Sequence, residues 1–150
     1  MKRILIATDG SPSALEALEY GLELAAEHDA AVTVAYVVPG VDVYPTGGFG
    51  LTGAVPHELT PADSEPLDEA LRLAEEADVS ACTALLHGEP ADEIVAYADS
   101  IDADMIVVGS RGQGRLASAL LGSVSRAILR EARRPVLVVR GSRAPAEVAA

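Results

Sequence analysis

Two short segments of this 150-residue chain carry residue types that could do chemistry. One is Asp9-Gly10-Ser11-Pro12. The other is Gly109-Ser110-Arg111-Gly112-Gln113-Gly114, followed after a gap by Leu121-Gly122-Ser123-Val124-Ser125. Glycines let backbone N–H groups approach an anion closely, a helix N-terminus adds partial positive charge, and serine hydroxyls can donate hydrogen bonds. The second segment therefore holds the parts of an anion cradle, although glycines after a strand also make ordinary tight turns. It is not a Walker-type phosphate loop, which needs a lysine after its last glycine, because Lys2 is the only lysine. Nor does a GxGxxG fingerprint follow the first strand-like run, which argues against a dinucleotide site. Anion contacts must come from backbone, hydroxyls and Arg111.

Catalysis finds less support, and no catalytic residue is assigned. His28, His57 and His87 are not joined by any motif to a nucleophile or a metal partner, and each reads as a capping, surface or partly buried residue. Asp9 could orient a water for phosphate hydrolysis. One carboxylate without a positioned lysine or arginine finger makes a weak hydrolase, so binding with at most slow turnover is expected. Cys82 is the only cysteine. That excludes an internal disulfide and a thiolate-rich metal site and fits a reducing compartment; the residue itself reads as a small buried apolar one.

The elements that must position these segments follow from an alternation of β-rich runs and helical periodicity, the signature of a doubly wound parallel sheet. The first strand is expected over 3–8, running into Ser11 as helix N-cap and Pro12 at the first helical position. Leu15, Leu18, Leu22 and Ala25 then recur on one face. A second strand spans 31–38. Residues 39–59 contain Gly and Pro without a convincing period and read as a long loop. Thr60-Pro61-Ala62-Asp63 repeats the cap-plus-proline signal and opens a helix that carries Leu67, Leu71 and Ala74 inward. Strands at 79–86, 104–108 and 135–140 and helices at 90–99 and 123–132 complete five strands and four helices. Val124, Ala127 and Ile128 face inward from the last helix, and a flexible tail covers 142–150. In such a sheet ligands bind beyond the carboxyl ends of the strands, where both candidate segments lie.

Composition bounds the rest. With 49% hydrophobic residues but only 3% aromatic and no Trp, one domain over 1–141 can bury a core of Ala, Val, Leu and Ile. There is no apolar run long enough for a membrane span or secretion signal, so a soluble cytoplasmic protein is expected. Against 11 basic residues stand 23 acidic ones, for a net charge of −12, which argues against nucleic-acid or anionic-membrane partners. An acidic chain with a single lysine also matches a halophilic composition.

Three motifs together resemble the ATP-binding branch of the universal stress protein family: Gly109, Gly112, Gly122 and Ser123 in a G-x2-G-x9-G-S spacing, the start Ile4-Leu5-Ile6-Ala7-Thr8-Asp9-Gly10-Ser11, and the end Arg134-Pro135-Val136-Leu137-Val138-Val139. The resemblance implies a single five-stranded α/β sheet with helices on both faces, of the adenine nucleotide alpha hydrolase-like kind, in strand order 3-2-1-4-5. It implies ATP, with Ala7, Thr8 and Asp9 flanking the nucleotide and the Asp9 carboxylate near the adenine or ribose; a turn-forming aspartate is the alternative. The backbone at Val37 or Val38 would meet the adenine edge, and Val108 and Gly109 the ribose. Gly112, Gly122, Ser123, Val124 and Ser125 would hold the phosphates, with Arg111 either touching them or exposed. Mg or Mn, if bound, would be held mainly by the phosphates, with no metal ligand from the protein. A homodimer through the strand at 135–140 is implied as well. Two further classes stay open: a nucleotide-independent dimeric interaction protein, and a slow ATPase or autophosphorylating protein using Ser123 or Ser125.

Overall fold

Alternating residues of the central strands feed two separate cores, and this fixes the three-layer architecture. The computed structural model describes residues 1–111 and 121–141. Strands β1 (Arg3–Ala7), β2 (Ala31–Val38), β5 (Ala81–His87), β6 (Met105–Gly109) and β7 (Val136–Val139) form a parallel sheet in the order β5-β2-β1-β6-β7. Taken by themselves in chain order these are strands 3-2-1-4-5, as expected. Ile4 and Ile6 point to one face, where helices α1 (Pro12–His28) and α2 (Glu65–Glu76) pack; Leu5 points to the other, against α3 (Pro90–Ser100) and α4 (Ser123–Glu131). All three β1 residues are fully buried, as a strand covered on both faces must be. Two helices on each side make the sheet doubly wound.

Local signals set the helix ends. Ser11 accepts the Ala14 N–H at 3.2 Å through its hydroxyl, and Pro12 follows at the first helical position. Ser11→Ala is expected to cost about 1 kcal/mol, read as a lowered melting temperature. Thr60 with Pro61 repeats the start signal but opens a 3-10 turn, Pro61–Ser64, before α2 begins, and there Thr60 donates its N–H and hydroxyl to the Asp63 carboxylate. Asp29, Asp78 and Asp102 adopt positive φ just after α1, α2 and α3, places where glycine is usual and aspartate is tolerated. At the far end of the sheet, Asp104 accepts the Lys2 and Arg3 N–H groups at 2.7 and 2.9 Å and fixes the start of β1 against β6. Those two hydrogen bonds hold the Asp104 carboxyl below the usual range.

Several expectations need correction. Residues 39–59 are not a structureless loop: β3 (Val41–Pro45) and β4 (Thr52–Pro56) pair antiparallel as a hairpin. Every strand residue in it except Gly53 is exposed, so the period-2 burial that announces a strand is missing. Leu15 and Leu71 share the helical spacing of their neighbours yet are 36% and 40% exposed. Val124 is likewise exposed, at 37%, rather than turned into the core. Cys82 is exposed because β5 is an edge strand; its thiol lies 3.4 Å from the Thr33 hydroxyl. The third sheet strand starts at Ala81, not Val79. Gly112 and the tail at 142–150 lie outside the described residues. Among the described residues no helix is long and apolar enough to cross a membrane.

Candidate functional site

At the carboxyl ends of β1, β2 and β6, where the chain order reverses, a cleft of about 220 Å³ opens between α3 and α4. Its inner wall is apolar, made by Ala7, Ala14, Val37, Ile94 and Val108 with Pro90. Its outer rim is polar, with Thr8, Asp9, Arg111 and the Gly122–Ser125 segment. An apolar slot with a few convergent polar groups is the general form of a small-molecule site.

The β1 turn builds one rim. Thr8 donates its N–H to the Ala35 carbonyl at 2.9 Å, and its hydroxyl accepts the Gly10 N–H at 3.2 Å. Asp9 accepts the Ser11 N–H through Oδ1 at 2.9 Å, so it does shape the turn while lining the cleft. Gly10 has φ of +76°, a conformation glycine adopts without steric cost.

The opposite rim is closed by backbone. The Gly122 N–H donates to the Ser110 carbonyl at 2.6 Å, drawing the end of β6 to the start of α4. Gly122 is the N-cap of α4 and offers no side chain to the first-turn amides, those of Ser123, Val124 and Ser125, which have no carbonyl one turn back. No acidic residue occupies that first turn. The other helices differ: Ser11 caps α1, while Glu65 and Asp68 occupy the first turn of α2 and Asp92 and Glu93 that of α3. Among the described helices, α4 alone lacks both a side-chain cap and an acidic residue in its first turn, the arrangement that suits an external anion. Ser125 is buried and spends its hydroxyl on the Gly122 and Ser110 carbonyls, at 3.1 and 3.4 Å, whereas Ser123 is exposed.

This geometry has relatives. The family model described as "Universal stress protein family" matches residues 1–140. The chain belongs to the universal stress protein family. A universal stress protein of Methanocaldococcus jannaschii is 40% identical over 142 residues, covering 93% of this chain and 82% of that protein. A universal stress protein solved in complex with cAMP superposes with a TM-score of 0.69 at 27% identity, over 92% of this chain and 95% of that one. Another, from Archaeoglobus fulgidus in complex with dAMP, has a TM-score of 0.67 and 27% identity, over 92% and 97%.

For this universal stress protein the fold brings Ala7, Thr8, Asp9, Val37, Val108, Gly109, Arg111, Gly122, Ser123, Val124 and Ser125 around one cleft. Val38 stays outside it; fully buried, it gives its carbonyl to the Gly88 N–H at 3.2 Å. Arg111 is exposed, and its N–H donates to the Ser13 hydroxyl at 3.2 Å. Arg126 is a surface residue that reaches the Leu121 carbonyl. Ala14, Pro90 and Ile94 also line the cleft and were not read from the sequence. The i, i+4 spacing of Pro90 and Ile94 was a signal for them, but core packing uses the same signal.

All three histidines fall among the expected capping, surface or partly buried positions. His28 bonds its own helix at the Leu24 carbonyl, 3.0 Å away, and His87 is exposed at the end of β5. His57 is partly buried between the carboxylates of Asp42 and Asp63 and is not among the residues that line the cleft.

Proposed function

We propose that this protein binds ATP in the cleft, holding the phosphates at the N-terminus of α4 and the adenosine against the apolar wall. The observation that carries the reading is the uncapped, acid-free first turn of α4 at the mouth of an otherwise apolar slot. The complexes of two related proteins with cAMP and dAMP support an adenine nucleotide as the class of ligand. Clefts that enclose a whole drug-sized ligand are larger, about 300–1,000 Å³. A volume of about 220 Å³ suits the nucleoside, with the phosphates lying outside it over Gly122, Ser123, Val124 and Ser125. Gly112 completes the phosphate contacts in this reading, and Arg111, exposed at the rim, is placed to join them.

The adenine lies beside the Val37 backbone between Ala7 and Ile94, and Asp9 sits at the ribose side. Mg or Mn would be held by phosphate oxygens, because among the described residues no group of three or more His, Cys, Asp or Glu could hold an ion. The function is binding rather than turnover: the described cleft presents no lysine and no histidine to a γ-phosphate. The protein acts in this proposal as a cytoplasmic stress-response module. It forms a homodimer through β7, an edge strand of uncharged Val136, Leu137, Val138 and Val139 whose outer hydrogen-bonding groups a second copy can pair.

The test is to denature purified protein, identify released small molecules by mass, and titrate ATP, AMP and cAMP into the emptied protein in high salt. Release of an adenine nucleotide, or saturable binding with ATP preferred, is the expected result. A folded protein that takes up none of the three would overturn the proposal.

A further inference from the structure

The β3–β4 hairpin is an unusual element for a small sheet protein. Isolated two-stranded hairpins are marginal in water, and this one contributes nothing to either core. Within it, Tyr44 lies across Gly53, where a Cβ would come within 2.6 Å of the ring, and Thr46 donates its N–H to the Leu51 carbonyl at 2.8 Å. Val43 and Leu51 are exposed at 66% and 63%, and Phe49 at the tip is fully exposed. Among the described residues, the only side-chain hydrogen bond made by residues 41–56 is the one that Asp42 accepts from His57.

His57 is the root of the hairpin. Its backbone N–H donates to the Gly40 carbonyl at 3.1 Å, and its ring is 13% exposed. Nδ1 stands 2.8 Å from Asp42 Oδ1 on β3, and Nε2 stands 3.1 Å from Asp63 Oδ2 in the 3-10 turn. A neutral imidazole has one N–H and can donate to only one of two facing carboxylates; the imidazolium has two. Both contacts are hydrogen bonds only when the ring is protonated.

We propose that His57 is a proton-operated latch: as imidazolium it ties the hairpin, through Asp42, to the head of α2, through Asp63, and on losing its proton it lets the hairpin go. The two bonds are unequal. Asp63 is buried and also accepts the Thr60 N–H at 2.7 Å and the Thr60 hydroxyl at 3.2 Å. Asp42 is half exposed and can return to water. A neutral ring that keeps its proton on Nε2 for Asp63 turns a lone pair on Nδ1 toward Asp42, and the hairpin is the side that yields.

The groups facing His57 are Asp42 and Asp63, with the Tyr36 phenol and then Asp9 beyond Asp63. The hydrogen bonds to Asp42 and then to Asp63 hold the imidazole above its ordinary value. Asp63 is pushed below the usual carboxylate range by the Thr60 N–H first and by His57 second. Tyr36 is raised by burial and by the Asp63 and Asp9 carboxylates, so it stays protonated through the range in which His57 titrates. Because the folded value is raised, the latch is fully made below the unfolded histidine pKa and is lost as pH rises through the folded one.

The experiment follows the full chain over about pH 6 to 9, measuring His57 ring shifts by NMR and hairpin amide exchange corrected for intrinsic base catalysis. The expected result is a His57 midpoint above ~6.5 and a loss of hairpin protection of about tenfold or more across that same midpoint. In Asp42→Ala, which leaves His57 Nδ1 without its hairpin partner, the hairpin should be poorly protected at every pH while β1 and β6 keep their protection. In His57→Gln, which cannot change charge, the pH dependence should vanish. A hairpin whose corrected protection does not change through the His57 midpoint would overturn the latch, as would a pH dependence that survives in either variant.

Discussion

Gly122→Val is expected to weaken ATP binding about a hundredfold, or ~2.7 kcal/mol, without unfolding the protein. Gly122 has φ −69° and ψ 166°, a backbone conformation any residue accepts, so the substitution introduces no strain at that site. Its N–H still reaches the Ser110 carbonyl, and the loss of a favourable N-cap residue costs at most about 1 kcal/mol. What changes is the space above the first turn of α4, where a branched side chain stands between the phosphates and the amides of Ser123, Val124 and Ser125. Titration calorimetry beside a circular dichroism spectrum separates the two effects. Undiminished affinity with an unchanged spectrum would move the phosphates away from α4.

The second large effect is on stability. Gly109→Ala is expected to cost ~1–3 kcal/mol, because a Cβ there would lie 2.7 Å from both the Ser13 carbonyl oxygen and its hydroxyl, and 2.8 Å from the carbonyl carbon. Rotation of a flexible side chain cannot relieve contact with backbone, so the end of β6 and the first turn of α1 must move apart. At about 2–4 °C per kcal/mol for a chain of this size, the loss is measurable in a thermal melt. An unaltered melting temperature would show that the two segments are not in close contact. Gly109 thus serves packing before it serves any ligand, although its place in the glycine spacing suggests the reverse.

Gly109 marks the boundary of what the sequence could disclose. The five sheet strands, the four helices and both proline-led helix starts were legible because each carries a local signal: β-rich runs, 3.6-residue spacing, or Ser11-Pro12 and Thr60-Pro61. The hairpin was not. Its strands face solvent on both sides, and Gly47, Gly48 and Gly50 imitate a loop. Leu15 and Leu71 repeat the core spacing but fall at the edge of their buried stripes, where spacing alone does not distinguish exposed from buried. For the site, the glycine-rich rim announced itself by composition, and the β1 turn through its Asp-Gly. The apolar wall could not: Pro90 and Ile94 arrive from a helix whose ordinary task is to cover the sheet. The His57 contacts were equally hidden, since Asp42 and Asp63 lie 15 and 6 residues away on elements whose meeting no local pattern encodes.

The acid-free end of α4 has one more consequence, which concerns distance. A body of net charge −12 repels a nucleotide polyanion from afar, while the α4 amides attract it only within the first turn. Salt shortens the reach of the first force far more than that of the second: the screening length falls from about 10 Å at 0.1 M to about 3 Å at 1 M. If the proposed site holds, capture of a nucleotide is therefore expected to quicken as ionic strength rises, the reverse of what a lysine-lined phosphate site would do, and the surrounding electrolyte would become a working part of the binding step.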